Sequence, residues 1–186
     1  MIVFDALNHT YTEDGALLPS VTTVLAAEGF YDPRQFAPGS ADRGTGVHLI
    51  TQLLDEGMRE LASYTLDPLY PYALAWEKFK QHTGAEFIGI EVMVGGKELG
   101  AAGMVDRFAE IRRKLWLLDI KSGYKMAWHP IQTAGYKYLS RRSCRRGSVY
   151  LKDTGKYELV EHAERYDEVV WKAALITHRW KREYAA

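Results

Sequence analysis

The segment from Gly103 to Gly123 constrains this chain most. Two apolar stretches, Gly103–Ile111 and Leu115–Lys121, flank Arg112-Arg113, and each carries one aspartate, Asp106 and Asp119. Read as a hairpin with a two-residue turn, the segment pairs Ile111 with Lys114 and sets Asp106 opposite Asp119. A four-residue loop over 111–114 gives the same register, and a three-residue loop shifts it by one. Facing carboxylates have Cβ atoms roughly 4.5–5.5 Å apart and repel each other. Aspartate is also a poor strand residue, so the pair calls for a compensating cation. Lys121, two residues beyond Asp119, projects from the same face. Two carboxylates, an ammonium group and a hard divalent ion such as Mg²⁺ suit phosphodiester hydrolysis. The aspartates could instead lie in solvent beside a basic turn. Against this, Leu115, Trp116, Leu117, Leu118 and Ile120 form an almost unbroken apolar run, which suggests a strand covered on both faces. An Asp and a Lys buried there require a partner or a function.

The rest of the chain reads as a mixed α/β layer domain, one domain over residues 1–186, with a central mixed β-sheet flanked by helices. Residues 2–18 read as a hairpin turning at Glu13-Asp14-Gly15. Ser20 is a candidate N-cap for a helix through Ala27. A loop over 31–42 precedes a helix from Arg43 to Ala62 with the stripe Val47, Ile50, Leu54, Met58 and Leu61. A second helix covers Pro71 to His82. Phe87 to Val94 reads as a strand turning at Gly95-Gly96. Pro130 to Arg142 reads as a helix, with proline in its first turn. A hairpin over Ser148–Lys152 and Tyr157–Val160 and a helix from Ala163 to Glu183 follow.

Composition narrows the possible chemistry. The single cysteine, Cys144, excludes an internal disulfide and a thiolate-held zinc or iron–sulfur site. No apolar run is long enough to span a membrane and no signal peptide is visible, so a cytoplasmic protein without membrane contact is expected. No phosphate-binding glycine loop is present, so no nucleotide cofactor is expected. The net charge is zero but unevenly spread. Residues 1–100 hold 14 acids and 6 bases, and residues 101–186 hold 10 acids and 18 bases. Such asymmetry hints at a polyanion-facing surface, or at opposite faces of one domain that attract each other.

The constellation resembles the PD-(D/E)XK nuclease superfamily, and within it the RecB-type nucleases with a restriction-endonuclease-like core. The matching residues are Gly103-x-x-Asp106, then Asp119-Ile120-Lys121-Ser122-Gly123. Upstream stands Arg43-Gly44-Thr45-Gly46-Val47-His48, and downstream Gln132-x-x-x-Tyr136. These four motifs keep the family's order and spacing over residues 43 to 136. Pro19-Ser20-Val21-Thr22, ahead of the first helix, is similar to small stand-alone, often phage-borne members.

The resemblance implies a set of roles. His48, Asp106, Asp119 and the backbone carbonyl of Ile120 would hold Mg²⁺ or Mn²⁺, with Glu91 as a further candidate ligand. Lys121 would position the attacking water. Gln132 and Tyr136, four apart on one helix face, would brace the lysine or contact a phosphate. Arg43 and the cluster Arg141, Arg142, Arg145 and Arg146 are candidate phosphate contacts. The cluster also fits a solvated helix C-terminus.

The expected activity is a metal-dependent deoxyribonuclease, exonuclease rather than endonuclease, acting in recombination, repair or phage DNA processing. A bacterial or phage-infected cell is the expected setting. With no helicase motor in this chain, unwinding would come from a helicase or a single-strand annealing or binding partner, unless the substrate is already a duplex end or a single strand. The alternatives are a structure-specific endonuclease, a catalytically silent DNA-binding or assembly module on the same fold, and a hydrolase of small phosphoesters. The intact His48/Asp106/Asp119/Lys121 set speaks against the silent module, and the basic C-terminal half against the small-ester hydrolase.

Overall fold

The protein was analysed as a computed structural model that describes all residues except Leu7, His9 and Ala186. Its largest element is a five-stranded mixed sheet in the order β4 (Glu86–Gly96), β5 (Ala101–Ile111), β6 (Lys114–Lys121), β7 (Arg145–Leu151), β8 (Tyr157–Glu161). Neighbouring strands run antiparallel except β6 and β7, which are parallel. The connection between that parallel pair contains helix α4 (His129–Ser140), since parallel neighbours need a crossover.

The sheet is covered on both faces, as the apolar run in β6 requires. On one side α1 (Val21–Ala27), α4 and α5 (Tyr166–Tyr184) pack Val24, Leu25, Leu139 and Trp171 against Val105, Phe108 and Leu117. On the other side α2 (Ser40–Asp55) and α3 (Tyr70–Thr83) pack Val47, Ile50, Trp76 and Phe79 against Ala109, Ile111, Leu118 and Ile120. Leu117 and Leu118 thus bury into opposite cores, which explains why β6 shows little polar alternation.

Local chemistry accounts for the helix ends. The Ser20 hydroxyl accepts from the Thr23 N–H at 2.9 Å, the N-cap read from the sequence. Helix α2 begins earlier and ends earlier than expected. Gly57 adopts φ +68° directly after it, and the N–H groups of Gly57 and Met58 close back on the carbonyls of Leu54 and Leu53. This double closure terminates a helix, so Met58 is left exposed and Leu61 falls in a separate 3₁₀ turn, Leu61–Tyr64.

Two further boundaries differ. The N-terminal hairpin is a three-stranded antiparallel meander, β1 (Ile2–Asp5), β2 (Thr10–Glu13) and β3 (Ala16–Leu18). It meets the main sheet where the Ala102 N–H donates to the Pro19 carbonyl at 3.0 Å. Gly95 and Gly96 belong to β4, and the turn falls at 97–100, closed by Gly100 N–H donating to Gly96 O at 2.8 Å. A Cβ on Gly95 would stand 2.2 Å from the Ala101 carbonyl oxygen, so glycine serves there for close strand approach.

Candidate metal and nuclease site

The β5–β6 hairpin takes the expected register, with Ile111 paired to Lys114 and Arg107 to Leu118. Arg112 and Arg113 form the two-residue turn, both left-handed at φ 51° and 58°. The ladder ends at Arg107↔Leu118, one step before the aspartates. There the regular alternation of β5 breaks. Gly103 and Val105 pack on the α1/α4 side, whereas Arg107 and Ala109 face α2 and α3. Asp106 sits at the break, and its Oδ2 accepts the Ile120 N–H at 2.5 Å. The flat, face-to-face aspartate pair is therefore corrected. One carboxylate wedges between the strands and takes a hydrogen bond that a continuous ladder would give to backbone.

The other oxygen of Asp106 faces α2, where His48 Nδ1 lies 3.5 Å from Oδ1. Glu91, on β4, joins them. It falls between the pairs Ile90↔Arg107 and Val92↔Val105, so it faces Asp106 across the strands. One ligand atom each from His48, Glu91 and Asp106 lies within 4.8 Å of the other two. Glu91 has φ 48°, a left-handed conformation that a glutamate in a strand adopts only when its surroundings enforce it. Burial and the neighbouring Asp106 push its carboxyl up to about 7. Two carboxylates with one imidazole form a donor set that could hold Mg²⁺ or Mn²⁺.

Asp119 lies beside this cluster and engages other groups. Its carboxylate holds Lys121 Nζ at 3.0 and 2.9 Å and accepts from Ser148 Oγ at 3.3 Å. Burial raises its pKa, Lys121 opposes that rise, and Asp106 adds to it. Lys121 also donates to Gln132 Oε1 at 2.9 Å, and Gln132 Nε2 donates to the Tyr136 hydroxyl at 3.0 Å. Gln132 and Tyr136 thus brace the lysine from α4, one of the two roles the motif implied. Burial drives the Tyr136 hydroxyl well above its ordinary pKa, with Asp119 and Asp106 adding to it, so it stays a neutral hydrogen-bonding group.

Several supporting residues were missed in the sequence. Arg107 is fully buried and donates to Asp55 Oδ2 at 2.7 Å, to Glu91 Oε1 at 3.0 Å and to its neighbour's carbonyl, Asp106 O, at 2.6 Å. Asp55 also accepts from the Trp76 indole and from Lys80. This network fixes Glu91 and the β5 backbone at Asp106. The signal was available, because an arginine inside an apolar strand needs a buried acceptor. Behind Asp119, Ser148 Oγ stands 3.0 Å from His162 Nε2. Burial pulls the His162 pKa down to about 4, and that of His129, whose Nδ1 meets the Tyr150 hydroxyl at 2.8 Å, down to about 3.

The arginines divide. Arg43 lines the cleft beside His48, Lys121 and Ser122. The cluster at 141–146 is set back along the sheet from the candidate ligands. In the parallel register Arg145 stands level with Trp116, while Asp119 stands level with Ser148, roughly 10 Å along the strand. Arg146 is buried, with its guanidinium donating to Pro130 O, Thr133 Oγ1, Glu164 O and Asp167 Oδ2. Arg141 pairs with Glu98, Arg145 with Glu161, and Arg142 covers the Phe108 ring. The expectation that all four would contact phosphate is corrected for Arg146, whose guanidinium is taken up inside the protein. Arg146 joins α4, β7 and α5, and the other three cover the far end of the sheet.

No helix among the described residues is long and apolar enough to cross a membrane. No family model and no curated protein matches the chain. Among solved structures, the crystal structure of SSO0001 is similar over 73% of this chain and 80% of that chain, at 20% identity and a TM-score of 0.38.

Proposed function

We propose that the protein is a divalent-metal-dependent deoxyribonuclease of the RecB-type PD-(D/E)XK kind that hydrolyses phosphodiester bonds, with exonuclease action favoured. The observation that carries this reading is the convergence of His48, Glu91 and Asp106 within 4.8 Å, beside a lysine clamped by Asp119 and Gln132.

His48, Glu91 and Asp106 would hold the ion, with Asp119 and the Ile120 carbonyl at its margin. When bound, the ion polarises a phosphate oxygen and makes water more nucleophilic at neutral pH. Lys121 presents an ammonium group whose position is fixed from two sides, by a carboxylate and by an amide oxygen. It orients the attacking water and offsets charge developing on the phosphate. Gln132 and Tyr136 keep that ammonium from turning away, which limits the motion that would cost rate. Arg107 and Asp55 hold Glu91 in its left-handed conformation from behind, so the acidic cluster is formed before any ligand arrives.

End-labelled linear DNA and covalently closed circles, each with and without Mg²⁺ or Mn²⁺, test the reading. The wild type is expected to degrade linear DNA only with metal and to leave circles intact. Lys121→Ala and Asp106→Ala are each expected to lower the rate by about a hundredfold or more, the scale at which a fixed electrostatic group contributes to catalysis. Nicking of circles would replace the exonuclease assignment with an endonuclease. No metal-dependent cleavage of any DNA by the wild type would end the proposal.

A further inference from the structure

A cleft of about 560 Å³ opens directly onto His48 and Lys121. Its walls come from the loop before α2 (Phe36), from the first turn of α2 (Arg43), and from the segment between β6 and α4 (Tyr124, Met126, Trp128). The wall is mainly apolar and aromatic, which is unusual next to a cluster of carboxylates. A phosphate-handling site alone needs cations and polar groups, and it gives no reason for exposed rings beside them.

The rings are ordered. Trp128 stacks on Tyr31 with centroids 4.3 Å apart and planes 18° from parallel, and Tyr31 stacks on Phe36 at 5.7 Å and 16°. The outer ring of this stack still presents surface, with Phe36 43% exposed, and Tyr124, a further ring on the cleft wall outside the stack, is 91% exposed. Lys121 Nζ lies 5.5 Å from the centroid of Trp128, so the stack ends at the catalytic lysine. Two donors at this wall, Arg43 Nε and the indole N–H of Trp128, are buried with no acceptor among the described residues. Trp128 itself is only 8% exposed. Buried donors are nearly always paired, and an unpaired one calls for an explanation such as a ligand.

The ligand chemistry follows from what lies together. A flat apolar π-face, hydrogen-bond acceptors on its edge and an attached phosphate describe a nucleotide. Inside a duplex both faces of a base are covered, and at a blunt end one face is free but the pairing edge is still occupied, so the unpaired donors at this wall find a free base edge only on an unpaired base. A base can lie against this wall only if it is unpaired. We propose that the cleft receives one unpaired nucleobase adjoining the scissile phosphate, so that the substrate is a single-stranded DNA end or an end already frayed. The assignment rests on the nuclease reading and specifies its substrate. Phe36 and Tyr124 supply the stacking surface, and Arg43 supplies a cation to the flanking phosphate. A blunt duplex must open its terminal pair to enter.

A single-stranded oligodeoxynucleotide with a terminal 2-aminopurine tests this, with Ca²⁺ replacing Mg²⁺, by fluorescence and anisotropy. The wild type is expected to quench the probe and to bind it more tightly than the same sequence as a blunt duplex. Phe36→Ala/Tyr124→Ala is expected to lose the quench and to bind about tenfold or more weakly, the scale of one lost base–aromatic stack. Tyr124→Ala alone, at a nearly fully exposed position, carries the test if the double variant melts early. The proposal is overturned if the wild type fails to bind the single strand, if it binds the blunt duplex equally well, or if the folded variants keep wild-type affinity and quench. The two readings fail separately. Probe binding of the expected kind without cleavage of any DNA sinks the nuclease reading alone. Metal-dependent cleavage with variants that bind like wild type sinks the base pocket alone.

Discussion

At the residue scale, several groups in this protein serve mainly to hold another group still. His162 is the clearest case. It touches Ser148, Ser148 touches Asp119, and Asp119 touches Lys121. Burial keeps this imidazole neutral, with its pKa pulled down to about 4 from an ordinary 6.5. The unfolded chain therefore binds a proton between those values that the folded chain resists. The stability tied to neutral His162 is fully present above pH 6.5 and is lost as pH falls toward 4. His162→Gln keeps a polar atom near Ser148 without titrating. Thermal melts of both proteins from pH 7.5 to 4 are expected to show the wild type losing melting temperature relative to the variant below about 6.5. Parallel curves would show that His162 titrates normally in the fold.

Sequence reasoning reached Asp106, Asp119, Lys121, Gln132 and Tyr136 because side-chain period and motif spacing carry that information. It did not reach the split in their roles. The alternation rule assumes an unbroken strand, and β5 breaks at Asp106. Whether a carboxylate meets a histidine or a lysine is decided by that local break. Glu91 could be named as a candidate, yet its left-handed backbone has no signature in its own identity. Arg146 was misassigned because a run of arginines looks alike whether solvated or buried. The acceptors that distinguish it, Pro130 O, Glu164 O and Asp167, come from distant parts of the chain.

At the element scale, the β5–β6 hairpin carries most of the site. Its turn is made by two arginines in left-handed conformations, which costs each L-residue roughly 1–2 kcal/mol relative to glycine. Replacing Arg112-Arg113 with Asn-Gly, the pair that suits this turn, is expected to raise stability by about 1 kcal/mol. In a domain of this size that is roughly 2–4 °C in melting temperature. Differential scanning calorimetry would read it, and an unchanged or lower value would mean that the guanidinium groups have a role beyond the turn. The elements themselves were largely legible, because apolar period and Pro, Gly and Ser punctuation act locally. The boundaries that moved, at Gly57 and at Gly95-Gly96, turned on glycine geometry that one-dimensional reading leaves open.

At the scale of the whole molecule, the His48/Glu91/Asp106 cluster ties α2 to two hydrogen-bonded strands of the main sheet. His48 comes from α2, Glu91 from β4 and Asp106 from β5. The negative charge gathered there works against the fold. Glu91, raised to about 7, costs stability as pH climbs from the ordinary carboxyl range through 7. Two effects are expected of Glu91→Gln at pH 8. The metal-free melting temperature should rise, and the further rise on adding millimolar Mg²⁺ or Mn²⁺ should shrink, because binding to the native state alone is what stabilises it. A variant that melts lower without metal, or that responds to metal like the wild type, would remove Glu91 from the proposed ion site.

Under the proposed nuclease function, the position of the cluster also sets when hydrolysis can begin. Its parts lie where the two cores adjoin, and the lysine is steadied only once α4, which ends at Ser140, has docked. A nascent chain that has released residues 48 to 121 already carries every reactive group but has no means of aiming them. Cutting should therefore switch on late, after the strands have formed and the last layer has closed. For the proposed activity, a refolding time course should show a lag in DNA degradation behind the return of secondary structure, and that delay would keep a partly folded chain from cutting nucleic acid near the ribosome.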